Sequence, residues 1–419
     1  MKVRKKLRLK KRIILFSGLL AVVAAGLALE CNLKYPNHIN IFEGELLNLR
    51  SSSPYTIDAP ANFGGVLEED GSVGADDAYV KADKTGSYEV NLKLFGIIPV
   101  RTVEVNVQPQ REIVPCGSTI GIKIFTQGLV CVGTSEIKGI DGRTVNLGID
   151  YDIRVADILL SVNGLPLEST EQLAQIVSGS NGDKLVFEIE RDGKNLTKEL
   201  IPVNTKEGYK LGVWVRDSTA GIGTLTFYDK ATHQYGALGH PITDADTGAL
   251  MPVSKGTILN ASIFNLKKGE KGTPGELKGI FQSNKTDLGT IEKNTNQGIY
   301  GVLNPENLPN EGHSYPAASK NQVKEGKATI LSNIHDERVE EFEIEIQKVI
   351  KYNTINYKDM VIKVTDERLL EQTGGIVQGM SGSPILQDGK VVGAVTHVFV
   401  NDPSRGYGVF IDNMLDNLS

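Results

Sequence analysis

Apolar and polar residues alternate along most of this chain, and alternation predicts strands. Phe342, Ile344 and Ile346 interleave with Glu341, Glu343 and Glu345, the pattern of a strand with one buried face. Residues 88–107, YEVNLKLFGIIPVRTVEVNV, hold two alternating runs around Gly96 and predict a hairpin. Gly221 to Tyr228 alternates too. Helical spacing is the exception. Leu173, Ile176 and Val177 form an apolar stripe behind Ser169, which with Gln172 makes a capping-box pattern. The chain start follows neither period: MKVRKKLRLKKR runs into 17 uncharged, mostly apolar residues, Ile13 to Leu29. As a helix they would span ~25 Å, within the tolerated range for a membrane crossing. The basic flank predicts a cytoplasmic N-terminus and an exported body. A cleaved signal peptide is the competing reading.

These patterns divide the chain into a signal anchor (1–30), a small β module (31–109), a second module (110–205) and a 206–419 unit of short strands. Composition agrees with a mainly β protein: 45 Gly among 419 residues, one Trp, 40% hydrophobic and 23% charged. The net charge of −6 hides an asymmetry. Eight Lys/Arg lie in residues 1–12, which leaves 37 basic against 51 acidic groups beyond, a balance of −14. An acidic body argues against nucleic-acid binding, which needs cations to neutralise phosphates. Cys31, Cys116 and Cys131 are an odd set, read as small buried hydrophobes rather than a disulfide framework. No zinc spacing, P-loop or dinucleotide fingerprint is present, so no metal and no cofactor is expected.

In 110–205, Thr119-Ile120-Gly121-Ile122 enters a strand, Asp157 to Gly164 is a strand ending in an Asn-Gly turn, and the Ser169 helix follows. This order resembles a PDZ domain of bacterial proteases. The resemblance makes Ile120, Gly121 and Ile122 the peptide-binding carboxylate loop, where converging N–H groups take a C-terminus and the strand edge accepts a peptide.

The chemistry lies near the C-terminus, in Gly375-Ile-Val-Gln-Gly379-Met-Ser381-Gly-Ser383-Pro384. Gly379 permits a tight turn with Ser381 at its apex, and the N–H groups of Gly379 and Ser381 would form an oxyanion hole. Ser383 is a rival nucleophile. The segment resembles the G-D-S-G-G-P elbow of chymotrypsin-like serine peptidases, which implies a double β-barrel. Met380 departs from that pattern where an acid stabilises the loop in trypsin-type enzymes. A serine needs a base. His240, after a small-residue turn and 141 residues before Ser381, is the candidate. His397 lies on a strand near the serine loop and His233 in a polar turn, while His38, His313 and His335 read as solvated. For the acid, Asp366 opens a helix as an N-cap would, and Asp244, Asp246 and Asp287 are spaced more like chymotrypsin-like enzymes.

Gly236-Ala-Leu-Gly-His240, Gln378-Gly-Met-Ser-Gly-Ser-Pro-Ile385 and Val395-Thr-His-Val-Phe-Val-Asn-Asp-Pro403, after a PDZ-like module, resemble the stage IV sporulation protein B family of serine peptidases. The resemblance covers nearly the whole chain. It implies a triad of Ser381, His240 and Asp366. It further implies an endopeptidase exported from the forespore across its inner membrane into the intermembrane space, anchored there or released after cleavage. Its protein substrates would be itself and a membrane-bound inhibitor of an intramembrane metalloprotease that processes a late mother-cell sigma factor precursor. A non-catalytic, membrane-anchored PDZ scaffold of the envelope is the alternative.

Overall fold

Two-faced strands form where residues 88–107 and 341–346 alternate, whereas Gly223–Tyr228, which alternates too, is buried on both faces. The computed structural model describes residues 36–48, 55–60, 66–68, 78–282, 287–309, 312–351 and 357–418, with Gly26, Leu27, Leu29 and Phe63 besides. The expected anchor in 1–30 and Cys31 lie almost wholly outside the described residues. Among those described, no helix is long and apolar enough to cross a membrane.

The first unit comprises residues up to Arg111 together with Ala318–Val323. Its main sheet holds β1 (His38–Phe42), β2 (Tyr55–Asp58), β3 (Gly86–Leu94) and β4 (Ile98–Gln108), in the order β1-β4-β3-β2. The β3–β4 hairpin is the one expected around Gly96, and its inward Val90, Leu92, Val103 and Val105 are fully buried.

The second unit spans Glu112–Ala317 and Lys324–Ser419. After a short strand, Glu112–Pro115, comes a 16-residue strand, β5 (Thr119–Thr134). Next come β6 (Ile158–Val162), α1 (Thr170–Gly179), β7 (Leu185–Arg191) and β8 (Lys194–Leu200). A second 16-residue strand, β9 (Val213–Tyr228), runs antiparallel to β5 along most of its length. The distal half of β5 pairs with β6 and the start of β9, in a sheet that continues through β7 and β8. The Ser169 hydroxyl caps α1 on the Gln172 N–H at 3.1 Å, and the Gln172 side chain takes the Glu168 N–H at 2.8 Å. Asp157, 1% exposed, binds Arg191 through two contacts of 2.7 Å and accepts the Arg154 N–H. The Asp157–Gly164 run is thus structural: an ion pair at its start and a turn at its end.

The proximal half of β5 and the distal half of β9 belong to a six-stranded antiparallel ring. It closes through β10 (Gln234–Ala237), β11 (Lys255–Lys267), β13 (Gly289–Thr295) and β14 (Gly298–Leu303), while β12 (Glu276–Phe281) pairs with β11 as a hairpin. Ile120, Ile122, Ile124, Leu225, Ile258 and Ile299 fill this barrel. A second closed barrel contains β15 (Gly326–His335), β16 (Arg338–Val349), β17 (Met360–Val364), β18 (Pro384–Gln387), β19 (Lys390–Phe399) and β20 (Asp402–Phe410). Helix α2 (Glu367–Thr373) follows β17. On β16, Phe342, Ile344 and Ile346 are buried and the three interleaved glutamates exposed, as the alternation predicts. Each such burial contributes roughly 1.5–3 kcal/mol.

The double barrel is therefore present, but its first strand starts earlier than expected. Residues 119–125 lie in the barrel, not in the PDZ-like module to which their sequence pattern assigned them.

Candidate active site

Four successive peptide groups define the serine turn, and each is pinned. The Gln378 carbonyl accepts the Leu277 N–H at 2.8 Å, and the Met380 carbonyl accepts the Ser383 N–H at 3.0 Å. A trans peptide points its N–H opposite its C=O. The N–H groups of Gly379 and Ser381 therefore turn the other way, and neither has a backbone acceptor among the described residues. The two intervening carbonyls, of Gly379 and Ser381, accept from the Thr224 hydroxyl at 2.8 Å and the Thr224 N–H at 3.0 Å. Gly379 adopts φ +101° and Gly382 φ +98°, a region that side chains rarely enter. Two unoccupied, preoriented donors flanking a serine are the arrangement that holds an oxyanion.

The Ser381 hydroxyl is half-buried and donates to the Thr396 carbonyl at 2.8 Å. Ser383, the rival, is fully buried and donates to Ser332 at 3.1 Å, so no substrate reaches it. Met380 is also fully buried.

His240 follows a turn in which Leu238 and Gly239 are left-handed, at φ +71° and +70°. Its Nδ1 lies 2.8 Å from the Pro241 carbonyl. A carbonyl only accepts, so Nδ1 carries the proton and Nε2 keeps its lone pair, the tautomer a general base needs. Burial holds the imidazole below its usual range, opposed by the Pro241 contact. His397 packs beside it with ring centroids 5.0 Å apart. Desolvation, followed by the charges of His240 and Lys358, pushes His397 down to about 4.

His240, Ser381, Gly379, Thr396 and His397 line one cleft of about 590 Å³, with Ile122, Ile222, Ile376, Val377 and Val398 among its apolar walls. Asp366 is not in that lining. It caps α2, accepting the Arg368 N–H at 3.0 Å, and binds the Arg368 guanidinium at 2.8 Å and the Glu343 N–H at 3.2 Å. Arg368 holds its carboxyl below the usual range. The structure thus does not bring Asp366 to His240; its oxygens are occupied by its own helix and by β16. Asp244 and Asp246 bind Arg216 instead, and Asp287 makes no bond to His240.

Asparagine caps a helix as well as aspartate does but carries no charge. Asp366→Asn is therefore expected to keep kcat within about 3-fold, whereas loss of a triad acid costs about 10⁴. A kcat measurement on purified protein separates the two, and a drop near the larger figure would return Asp366 to the catalytic group.

The expected carboxylate loop is displaced as well. Ile120, Gly121 and Ile122 sit in mid-strand, with Gly121 paired to Ile222 on one side and Leu259 on the other. No edge is free for a peptide, and a Cβ on Gly121 would lie 2.6 Å from the Phe281 ring. The groove lies elsewhere, between α1 and the start of β9. It is about 910 Å³ and is lined by Leu173, Val177, Leu211, Gly212, Val213 and Trp214. Lys210-Leu211-Gly212-Val213 repeats the same four-residue pattern, with the loop after the helix instead of before it. That repeat is the signal in the sequence that marks this loop.

Two neighbours on β9 tie this groove to the catalytic cleft. Asp217 accepts the Thr170 N–H at the start of α1 at 3.0 Å. Arg216 pairs with the buried Asp244, four residues beyond His240.

Residues 207–415 match the family of the SpoIVB peptidase, S55. The chain belongs to the SpoIVB peptidase family. It is a serine peptidase, and residues 151–191 match a PDZ domain. No curated protein matches the sequence closely enough to count. Among solved structures, the Rv3671c protease from M. tuberculosis in its active form aligns at 13% identity, covering 48% of this chain and 75% of that one, with a TM-score of 0.27. A serine-to-alanine mutant of that protease, in an inactive form, aligns at 13% identity over 47% and 81%, with a TM-score of 0.25. In this SpoIVB-family chain the PDZ match contains β6, α1 and β7, and the peptidase match opens at Glu207, just before the Leu211-Gly212-Val213 loop. Strand β9 lies within the peptidase match, and its start pairs with β5 in the sheet that continues through the PDZ-matched strands β6 and β7.

Proposed function

We propose that this SpoIVB-family peptidase uses Ser381 as nucleophile and His240 as base, in an endopeptidase that cuts itself and a membrane-bound regulator during sporulation. The Ser381 Oγ leaves the Thr396 carbonyl and attacks the scissile carbonyl carbon. Its proton passes to His240 Nε2, and the oxyanion is held by the Gly379 and Ser381 N–H groups. His240 then returns the proton to the leaving amine, and water hydrolyses the acyl-enzyme by the same route. The observation that carries this reading is the pair of unoccupied N–H groups flanking Ser381 in the cleft shared with His240.

The cleft lining contains no Asp, Glu, Lys or Arg, which supports cleavage beside uncharged side chains. The groove on β9 supports PDZ capture of a protein C-terminus, and the Arg216–Asp244 and Asp217–Thr170 contacts join that event to the His240 turn. The basic N-terminus followed by an apolar run supports export with a cytoplasmic tail, hence action between forespore and mother-cell membranes. The cut regulator would be an inhibitor of an intramembrane metalloprotease, whose release lets a late sigma factor precursor be processed.

Mass spectrometry of new N-termini tests this reading. Wild-type protein mixed with Ser381→Ala protein should generate new termini in both chains, beside uncharged residues. The Ser381→Ala protein alone should generate none. Equal cleavage in the mutant alone would end the assignment.

A further inference from the structure

We infer that Thr224 is a positioning residue for catalysis, taking over the loop-stabilising task for which Met380 is unsuited; the inference rests on Ser381 and His240 being the reacting pair. In chymotrypsin-like loops an acid stands before the serine, and here that position holds a fully buried methionine with no group to bond the turn. Thr224, 2% exposed, reaches the turn from the first barrel. Its hydroxyl donates to the Gly379 carbonyl at 2.8 Å and its N–H to the Ser381 carbonyl at 3.0 Å. Its own carbonyl accepts the Leu238 N–H at 3.2 Å, in the turn that delivers His240. One residue therefore clamps the oxyanion turn and the base turn together.

The hydroxyl bond is the separable part, because the two backbone bonds survive any side-chain change. Without it the part-buried Gly379 carbonyl loses its side-chain donor, and the peptide group next to the Gly379 N–H is released to rotate. The neighbouring Thr226 is an internal control. It lies on the same strand, is 0% exposed, and its hydroxyl has no hydrogen-bond partner among the described residues. Residue type and near-complete burial are therefore shared by the two positions, and Thr226 lacks the hydroxyl bond to the serine turn.

The test compares Thr224→Val, Thr224→Ala, Thr224→Ser, Thr226→Val and Ser381→Ala in the full chain, with kcat and KM on one peptide substrate and Tm by circular dichroism. Misplacing an oxyanion donor costs roughly 10- to 100-fold in kcat. That loss is expected in Thr224→Val and Thr224→Ala, with KM changed less than about 3-fold, since the donor acts on the transition state rather than on bound substrate. Thr224→Ser should recover activity to within a few-fold, and Thr226→Val should match wild type. Wild-type kcat in either hydroxyl-free variant, or equal loss in Thr226→Val, overturns the inference. So does failure of serine to restore the rate, which would make the lost methyl the cause. An active Ser381→Ala protein would instead defeat the underlying assignment, so the two failures are distinct.

Discussion

Replacing Ser381 by alanine is expected to lower peptide hydrolysis by at least about 10³-fold and to abolish labelling by a fluorophosphonate probe. The change removes one oxygen from a half-buried side chain whose only hydrogen bond among the described residues is to the Thr396 carbonyl, so the fold should persist. His240→Ala should cost a comparable factor, because the two act as one unit. The same pair dictates the pH profile. The base is neutral imidazole, and burial holds His240 below its usual range. A lowered value keeps the neutral form to lower pH, so the rate should rise with pH through a limb centred below about 6.5 and then level off. His397, at about 4, stays uncharged over that plateau and adds no repulsion to the site. A limb centred above the ordinary histidine value would contradict the burial argument. A rate that never fell with acid, down to the pH where the fold fails, would contradict a histidine base.

Gly382→Ala is expected to be nearly as damaging by a different route. At φ +98° a side chain costs of order 1–2 kcal/mol, before any clash. A Cβ there would also lie 2.2 Å from the Thr224 carbonyl oxygen and 2.6 Å from the Leu238 nitrogen. Both are backbone atoms of packed strands and turns, so neither yields as a flexible side chain would. The loop must move instead, which takes Ser381 away from the cleft and breaks the Thr224 bonds. We expect activity to fall at least about 100-fold, the scale of a 1 Å misplacement, with Tm lowered. An alanine variant with wild-type kcat would overturn this expectation.

Much of this was legible along the chain, where the signal is local. The alternation on β16, the Ser169 cap and the hairpin around Gly96 each depend on neighbours within a few residues, and each formed as expected. The serine turn was legible because Gly379 and Gly382 mark a backbone that only glycine enters readily. The carboxylate loop was misplaced for a related reason: four residues of the form x-Φ-G-Φ suit both a barrel strand and a peptide-binding loop. Ile120-Gly121-Ile122 and Leu211-Gly212-Val213 carry the same pattern. The first lies under the Phe281 ring with both edges bonded, and the second stands at the mouth of a groove. Nothing within either stretch distinguishes them, because the difference lies in what packs against each.

Asp366 makes the same point in the other direction. Its place before a helix was visible, and so was its capping role; its distance from the site was not, because that depends on how α2 sits against β16. The sequence by itself determined the strands, the serine turn and the acidic body, since these follow from periodicity, glycine placement and charge. Only the tertiary structure decided which glycine loop faces a groove, that Ser383 is buried, and that a threonine 157 residues before Ser381 clamps its turn. Those are contacts between segments distant in the chain, and no local pattern encodes a partner that arrives only when two barrels close.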